Sequence, residues 1–265
     1  MKRATANAKI NLALLVGPKR PDGYHEIATV LERIDLADEV TLEDADALSV
    51  TGFPEDTLVT RALELLADDD GGEPRWRVHV EKRIPVAAGL GGGSSDAAAA
   101  LALANEMLSR DALHDLAARV GSDVPFFLTD GPQLATGTGT DLEPVDLPRD
   151  YWIVLVLPSG ERKESTAAVY ARFDGAAGFD ERRTALLDSI RRVRRATDLA
   201  LLPPNDLASS PLASTIRGLG AFRADVSGAG PAVYGLFVRE DDARAAAAAL
   251  RPRGQTLTAK PAWYG

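Results

Sequence analysis

Four of the five residues from Gly89 to Gly93 are glycine, and Ser94, Ser95 and Asp96 follow before a run of alanines. Such a stretch is either a flexible linker or a tight loop that holds something, and its flanks decide which. Upstream, Trp76, Val78 and Val80 alternate with Arg75, Arg77, His79 and Glu81, the period-2 pattern of a strand. Downstream, Ala97 to Leu108 is rich in Ala and Leu without a breaker, which predicts a helix. A linker belongs between independent compact units, not between a strand and a helix of the same one. The pattern therefore predicts strand, loop, helix. Glycines there let the backbone approach a ligand, and free N–H groups of the first helical turn point at an anion. Ser94 and Ser95 are placed to cap the helix or to reach phosphate or metal oxygens. The plainer alternative is a Gly-rich tight turn with serine capping.

Three common phosphate loops fit poorly. A Walker A loop ends in Gly-Lys-Ser/Thr, and there is no lysine here. A Rossmann fingerprint needs Gly or Ala where Ser94 stands. The protein-kinase loop lies between two strands and is followed by H-R-D and D-F-G, which are absent.

The rest of the chain is patterned on both sides of this loop. Ile10, Leu12, Leu14 and Val16 alternate as in a half-buried strand over 8–16, with Asn7, Lys9 and Asn11 on the other face. Gly17 to Gly23 is a dense turn signal, followed directly by Tyr24 and His25. Strands are expected at 27–34 and 39–43, and a helix from Thr57 to Ala67. A second helix is expected at 110–120, closed by Gly121, and a third, short one from Ser122-Asp123-Val124-Pro125. Residues 131–143 read as turns, and 144–150 as a joint. Beyond it, the expected order is strand 151–157, helices 164–173, 180–196 and 205–218, strands 222–227 and 231–238, helix 240–251 and strand 254–260. Apart from the extra helices, this is the β-α-β-β-α-β order of a ferredoxin-like unit. The fold class expected is α+β, in two domains over 1–148 and 149–265.

Composition removes several functions. The chain has 265 residues, no cysteine and a net charge of -9. Disulfides, cysteine zinc sites and thiol nucleophiles are excluded. Only His25, His79 and His114 are present, without H-E-x-x-H, which argues against a zinc hydrolase. The acidic balance argues against nucleic acid or an anionic membrane as main partner, though backbone dipoles can still hold phosphate. No apolar run approaches ~20 residues, so no membrane helix is expected. The start of the chain carries no signal or transit pattern, and a cytoplasmic location is expected.

Pro85-Val-Ala-Ala-Gly-Leu-Gly-Gly-Gly-Ser-Ser-Asp-Ala-Ala resembles the second motif of the GHMP kinases, which lies between a strand and a helix. Ser227-Gly-Ala-Gly-Pro231 resembles their third motif. Four further blocks resemble one branch of the family, whose acceptor is a cytidine diphosphate polyol. They are Ala8 to Leu12 with Lys19 to Glu26, Gly121 to Leu128, Ser165 to Tyr170, and Asn205 to Leu207. The resemblance runs almost end to end, and the Asp22-Gly-Tyr-His25 block is the part other GHMP kinases lack.

The resemblance implies a two-domain fold, with an N-terminal domain like ribosomal protein S5 domain 2 and a ferredoxin-like C-terminal domain. It implies ATP-dependent phosphorylation of the acceptor's 2-hydroxyl, in non-mevalonate isoprenoid precursor synthesis, with ATP and Mg²⁺. Asp123 would be the catalytic carboxylate facing that hydroxyl, with Lys9 beside it. Asn11 would place the polyol, His25 would bond the cytosine edge, Tyr24 and Tyr170 would pack on its ring, and Thr166 would join the acceptor site. Pro85, Val86, Ala87, Ala88, Gly89, Leu90, Gly91, Gly92, Gly93, Ser94 and Ser95 would hold the ATP phosphates, with Thr57 and Leu58 near adenine. Ser94 or Ser95 would be a metal ligand. Three residues depart from the family pattern: Thr57 stands for a frequent Asn, Tyr170 for Phe, and Ala229 for Ser. A monomer or weak homodimer is expected.

Read without the resemblance, these residues keep alternatives. Lys9 could be a solvent-facing strand lysine, Asp123 a helix cap, and His25 a turn histidine. The Arg-rich run Arg182 to Arg195 reads as a solvated helix face. Another GHMP kinase, of homoserine or mevalonate type, and a non-catalytic nucleotide sensor on the same fold remain as alternative functions.

Overall fold

The computed structural model describes residues 1–53, 57–69, 71–160, 166–173 and 177–262. They form two compact units. The first comprises Met1–Ala8, Leu36–Val86 and Gly91–Asp130, and the second Lys9–Asp35, Ala87–Leu90 and Gly131–Gly265. These bounds differ from the expected 1–148 and 149–265. The cause is strand length: β1 (Lys2–Lys19) and β2 (His25–Asp44) are each long enough to contribute to both units. The two strands expected at 27–34 and 39–43 are thus one.

In the first unit, residues 39–44 of β2 pair antiparallel with β4 (Trp76–Glu81). The short β3 (Ser49–Thr51), which no sequence signal marked, pairs parallel with β4. Three helices pack together: α1 (Thr57–Asp69), α2 (Gly92–Ala104) and α3 (Arg110–Val120). Their buried faces carry Val59, Leu63 and Leu66, then Ala97 and Leu101, then Leu116 and Val120. Fully burying one such Val or Leu is worth about 1.5–3 kcal/mol. α3 has the expected bounds because both ends are marked: the Ser109 hydroxyl accepts the Ala112 N–H, and Gly121 stops the helix. α2 begins five residues before the expected 97 and ends at 104, ahead of the expected 108, in the turn Asn105–Leu108. Ser122 to Pro125 does not start an α-helix; a single 3-10 turn covers Pro125–Leu128.

In the second unit, residues 27–31 of β2 pair antiparallel with β5 (Gln133–Gly137), which pairs with β6 (Asp141–Pro144). Residues 131–143, expected as turns, are therefore largely a hairpin. Gly137 and Gly139, both at positive φ, make its bend.

A second sheet has the order β10-β7-β9-β8, from β7 (Trp152–Pro158), β8 (Arg223–Val226), β9 (Val233–Phe237) and β10 (Gly254–Ala259), all antiparallel. The last strand lies beside the first and the third separates first from second, as a ferredoxin-like unit requires. α6 (Pro211–Gly218) and α7 (Glu240–Leu250) pack on this sheet through Ile216, Ala243 and Leu250. α4 (Thr166–Ala171) and α5 (Phe179–Arg192) lie between β7 and β8 in sequence. The helix expected at 205–218 is confined to 211–218. Asn205 instead turns the chain, its Oδ1 accepting the N–H groups of Leu207 and Ala208.

Candidate active site

The first unit holds the helix end of the glycine motif. Gly91 is the N-cap of α2, in the left-handed region at φ 72, which spares it the Cβ strain of other residues. Ser94 and Ser95 thus lie inside the first turn of α2, beyond the N-cap position that Gly91 takes, so the expected N-cap is not one of them. Ser94 is half-buried, and Ser95 is 2% exposed with its N–H bonded to the Gly91 carbonyl. Leu58 touches the backbone side of Gly93, where a Cβ would lie 3.5 Å from its methyl.

Beneath this helix start sits an ionic cluster that the sequence did not reveal. Lys82 Nζ donates to Asp38 Oδ2 and Asp96 Oδ2, each at 2.6 Å, and both carboxylates are fully buried. Burial works against the Lys82 charge, but the hydrogen bonds and charges of Asp38 and Asp96 outweigh it and raise its pKa above the ordinary lysine value. Asp38 also accepts the N–H groups of Arg83 and Ile84, which fixes the chain entering the loop. Asp123 is half-buried in the turn after α3. The 3-10 turn that follows has Val124 as its N-cap residue.

The second unit gathers three motifs that are far apart in sequence. Lys9 and Asn11 lie on one face of β1, but that face is not solvent-exposed. Both are buried, at 4% and 5% exposure, as are all of residues 8 to 17. The half-buried strand expected here is buried on both faces, and the solvent-lysine reading of Lys9 falls. Lys9 Nζ donates to Asn11 Oδ1 at 2.7 Å, and Asn11 Nδ2 donates to Thr29 Oγ1 at 2.9 Å. The Thr29 hydroxyl then donates to the Ala13 carbonyl at 2.6 Å. Ser227 Oγ, 216 residues away in sequence, accepts the Asn11 N–H at 3.4 Å and donates to the Gly89 carbonyl at 2.9 Å.

The glycine loop is pressed into the same place. Leu90 O accepts the Lys9 N–H and Ala88 O accepts the Ala232 N–H, so the loop is stitched to β1 and to the third motif. A Cβ on Gly89 would stand 2.3 Å from Ser227 O, and one on Gly228 would stand 3.3 Å from Asn11 Oδ1. Only glycine permits that approach. Asn205 holds the third motif from behind, its Nδ2 donating to the carbonyls of Val226 and Gly228.

A cleft of about 1120 Å³ also belongs to the second unit, lined by Pro18 to Pro21, His25, Glu26, Phe173 and Phe179 among others. His25 Nδ1 lies 3.0 Å from the Gly17 carbonyl, which can only accept, so Nδ1 carries the proton. The Tyr170 ring lies 5.8 Å from the imidazole at 36°, and the Phe173 ring packs edge-on at 6.0 Å. Tyr24 stands at the turn beside them, 60% exposed. The side chain of Thr166 lies outside the described residues. Thr29, Phe173 and Ser227 are the participants that sequence reasoning did not single out. Only Ser227 had a signal, its place at the head of the third glycine motif.

The comparisons with known proteins bear on this arrangement. The family profile "GHMP kinases N terminal domain" matches residues 57–131, and "GHMP kinases C terminal" matches 206–255. A 4-diphosphocytidyl-2-C-methyl-D-erythritol kinase of Salinibacter ruber is 39% identical over 97% of each chain. The chain belongs to the GHMP kinases. Another relative of this GHMP kinase, the enzyme of the same name from Salinispora tropica, is 39% identical over 94% of this chain and 87% of its own. A crystal structure of 4-(cytidine 5'-diphospho)-2C-methyl-D-erythritol kinase superposes with a TM-score of 0.79 at 32% identity, covering 99% of this chain and 100% of that one. The Methanococcus jannaschii mevalonate kinase, at 15% identity and TM-score 0.74 over 99% of this chain and 98% of its own, shares the fold. The chain thus has the two-domain GHMP kinase architecture, binds ATP and is an ATP-dependent small-molecule kinase. No helix among its described residues is long and apolar enough to cross a membrane.

Proposed function

We propose that this GHMP kinase transfers the γ-phosphoryl group of ATP to the 2-hydroxyl of 4-diphosphocytidyl-2-C-methyl-D-erythritol, giving the 2-phosphate and ADP. The observation that carries the reading is the 39% identity to a kinase of that name along 97% of both chains. The reaction belongs to non-mevalonate isoprenoid precursor synthesis, and its nucleotide substrates place it in the cytoplasm. The domains 1–148 and 149–265 serve as the family's two modules, and the two matched profiles fall on either side of that joint.

Phosphoryl transfer asks for positioning and charge stabilisation more than for covalent chemistry. Asp123 receives the proton of the acceptor hydroxyl. An ordinary carboxylate is far less basic than an alkoxide, so the proton moves late, as the oxygen–phosphorus bond forms. Lys9 stabilises the charge that grows on the attacking oxygen and on the transferred group. Its ammonium is already oriented by Asn11, and Asn11 by Thr29, which lowers the reorganisation needed at the moment of reaction. Asn11 also places the polyol.

The cytosine enters the cleft beside His25, whose Nδ1 is committed to Gly17 and whose Nε2 faces the base edge as an acceptor. Tyr24 and Tyr170 pack on the ring, with Thr166 alongside. Residues Pro85 to Ser95 hold the ATP phosphates by backbone N–H groups at the start of α2, and Thr57 and Leu58 lie near adenine. Mg²⁺ bound with ATP would neutralise phosphate charge. Ser94 or Ser95, in the first turn of α2, would hold it. The enzyme works as a monomer or weak homodimer. An ADP-release assay with this acceptor, mevalonate and homoserine tests the reading. Turnover is expected with the cytidine diphosphate compound, and turnover only with one of the others would overturn the assignment.

A further inference from the structure

Arg182 differs from two other arginines of the Arg-rich run, Arg191 and Arg195. Arg191 pairs with Asp188 and Arg195 with Asp198, both within three residues. Arg182 reaches a different part of the second unit. Its Nη1 donates to Asp206 Oδ2, and its Nη2 donates to the Val16 carbonyl at 3.1 Å. Asp206 in turn accepts the Val16 N–H at 2.9 Å and donates its own N–H to the Leu14 carbonyl at 2.8 Å. Both backbone polar groups of Val16 are therefore satisfied by one ion pair, much as a neighbouring strand would satisfy them. The pair is only partly exposed, at 26% for Arg182 and 17% for Asp206, and so less screened than a surface pair.

The residue after Val16 is Gly17, and the cleft depends on it. The Phe179 ring lies so close that a Cβ on Gly17 would stand 2.9 Å from it. The Gly17 carbonyl holds His25 Nδ1. Phe179 opens α5, three residues before Arg182, and Phe179, Asp180, Glu181 and Arg183 line the cleft opposite Pro18 to Pro21. We propose that Arg182 is a positioning residue for the acceptor: with Asp206 it fastens the start of α5 to β1, so that Phe179 seats on Gly17 and Gly17 orients His25. The side chain next to Asp206, Asn205, holds the third glycine motif at the Gly228 carbonyl. One dipeptide thus sets both the cleft wall and the motif beside Asn11. The proposal rests on reading this cleft as the cytidine site.

The test is titration of the full-length protein with cytidine diphosphate by calorimetry, with steady-state kinetics and ¹⁵N NMR of the histidine rings alongside. Arg182→Ala is expected to weaken cytidine diphosphate binding about tenfold and to raise the acceptor KM alike, with the KM for ATP nearly unchanged. Arg182→Lys, which keeps the charge but loses the two-pronged contact, should fall between. Arg191→Ala should match the wild type. The His25 ring should show the Nδ1-protonated form in the wild type and a mixture of tautomers in Arg182→Ala. If Arg182→Ala folds poorly, Arg182→Lys and Asp206→Asn carry the same comparison. Wild-type affinity and an unchanged His25 signature in these variants would overturn the proposal, as would an equal rise in both KM values. A wild-type protein that does not bind cytidine diphosphate would overturn the cytidine reading and the proposal with it, an outcome separate from the first two.

Discussion

Lys82 in the first unit and Lys9 in the second are both mostly buried lysines beside a glycine-rich turn, yet they sit in different hydrogen-bond networks. Lys82 meets two fully buried carboxylates, Asp38 and Asp96, which also fix the strand exit and the first turn of α2. Lys9 donates to the Asn11 side-chain amide, which Thr29 orients, while Ser227 of the third motif accepts the Asn11 backbone N–H. A lysine locked between two carboxylates holds a fold together. Lys9 instead lies where β1, the glycine loop and the third motif are joined by hydrogen bonds within the second unit. The difference teaches which buried charge to read as architecture and which as chemistry.

The comparison can be broken at several points. The largest effect is expected at the carboxylate proposed to receive the acceptor's proton. Asp123→Asn should lower kcat by about 10²–10⁴-fold with little change in unfolding midpoint; rapid-quench measurement of the chemical step checks it, and near-normal turnover would remove Asp123 from the mechanism. Next comes Lys9→Met, for which kcat/KM should fall about 10²–10³-fold while urea unfolding shifts by about 1 kcal/mol or less. Lys82→Met should do the reverse. Leaving Asp38 and Asp96 buried without their cation should cost about 3–5 kcal/mol in urea unfolding. If Lys82→Met is as stable as the wild type, the division between structural and chemical lysines is wrong.

A third buried charge sharpens the contrast. Glu32, in the second unit, is fully buried, and among the described residues neither of its oxygens has a hydrogen-bond partner of normal geometry. Burial raises its pKa to about 8, against the opposing pull of Arg149 and Arg33. Where Asp38 and Asp96 are paired with Lys82, Glu32 keeps its proton. The fold therefore binds that proton more tightly than the unfolded chain does. Stability should fall as pH rises from about 4.5 to about 8, by at most about 1.4 kcal/mol per unit. Glu32→Gln should flatten that slope and be the more stable protein at pH 9. A wild-type slope unchanged in the variant would assign it to other groups.

What the sequence disclosed follows the range of the interactions involved. α3 was legible to the residue because Ser109 and Gly121 mark its ends locally. α2 was not, because its first turn opens with Gly92 and Gly93, whose helix propensity is poor, and Gly91 in the left-handed region starts it. The hairpin of β5 and β6 hid behind Gly131, Gly137 and Gly139, which read as loop though two of them only bend it. Lys9, Asn11, His25 and Tyr170 were legible through motifs. The groups that orient them were not: Thr29 is 18 residues from Asn11 and Ser227 is 216, and no local pattern marks either contact. Lys82 with its two carboxylates was missed for the same reason, since Asp38 lies 44 residues from it.

The most direct test of the account is ³¹P NMR of the products formed from 4-diphosphocytidyl-2-C-methyl-D-erythritol and ATP. The account predicts ADP together with a new phosphomonoester on the acceptor's C2 oxygen, in equal amounts. ADP with inorganic phosphate instead, or a phosphoryl group on any other oxygen, would contradict it.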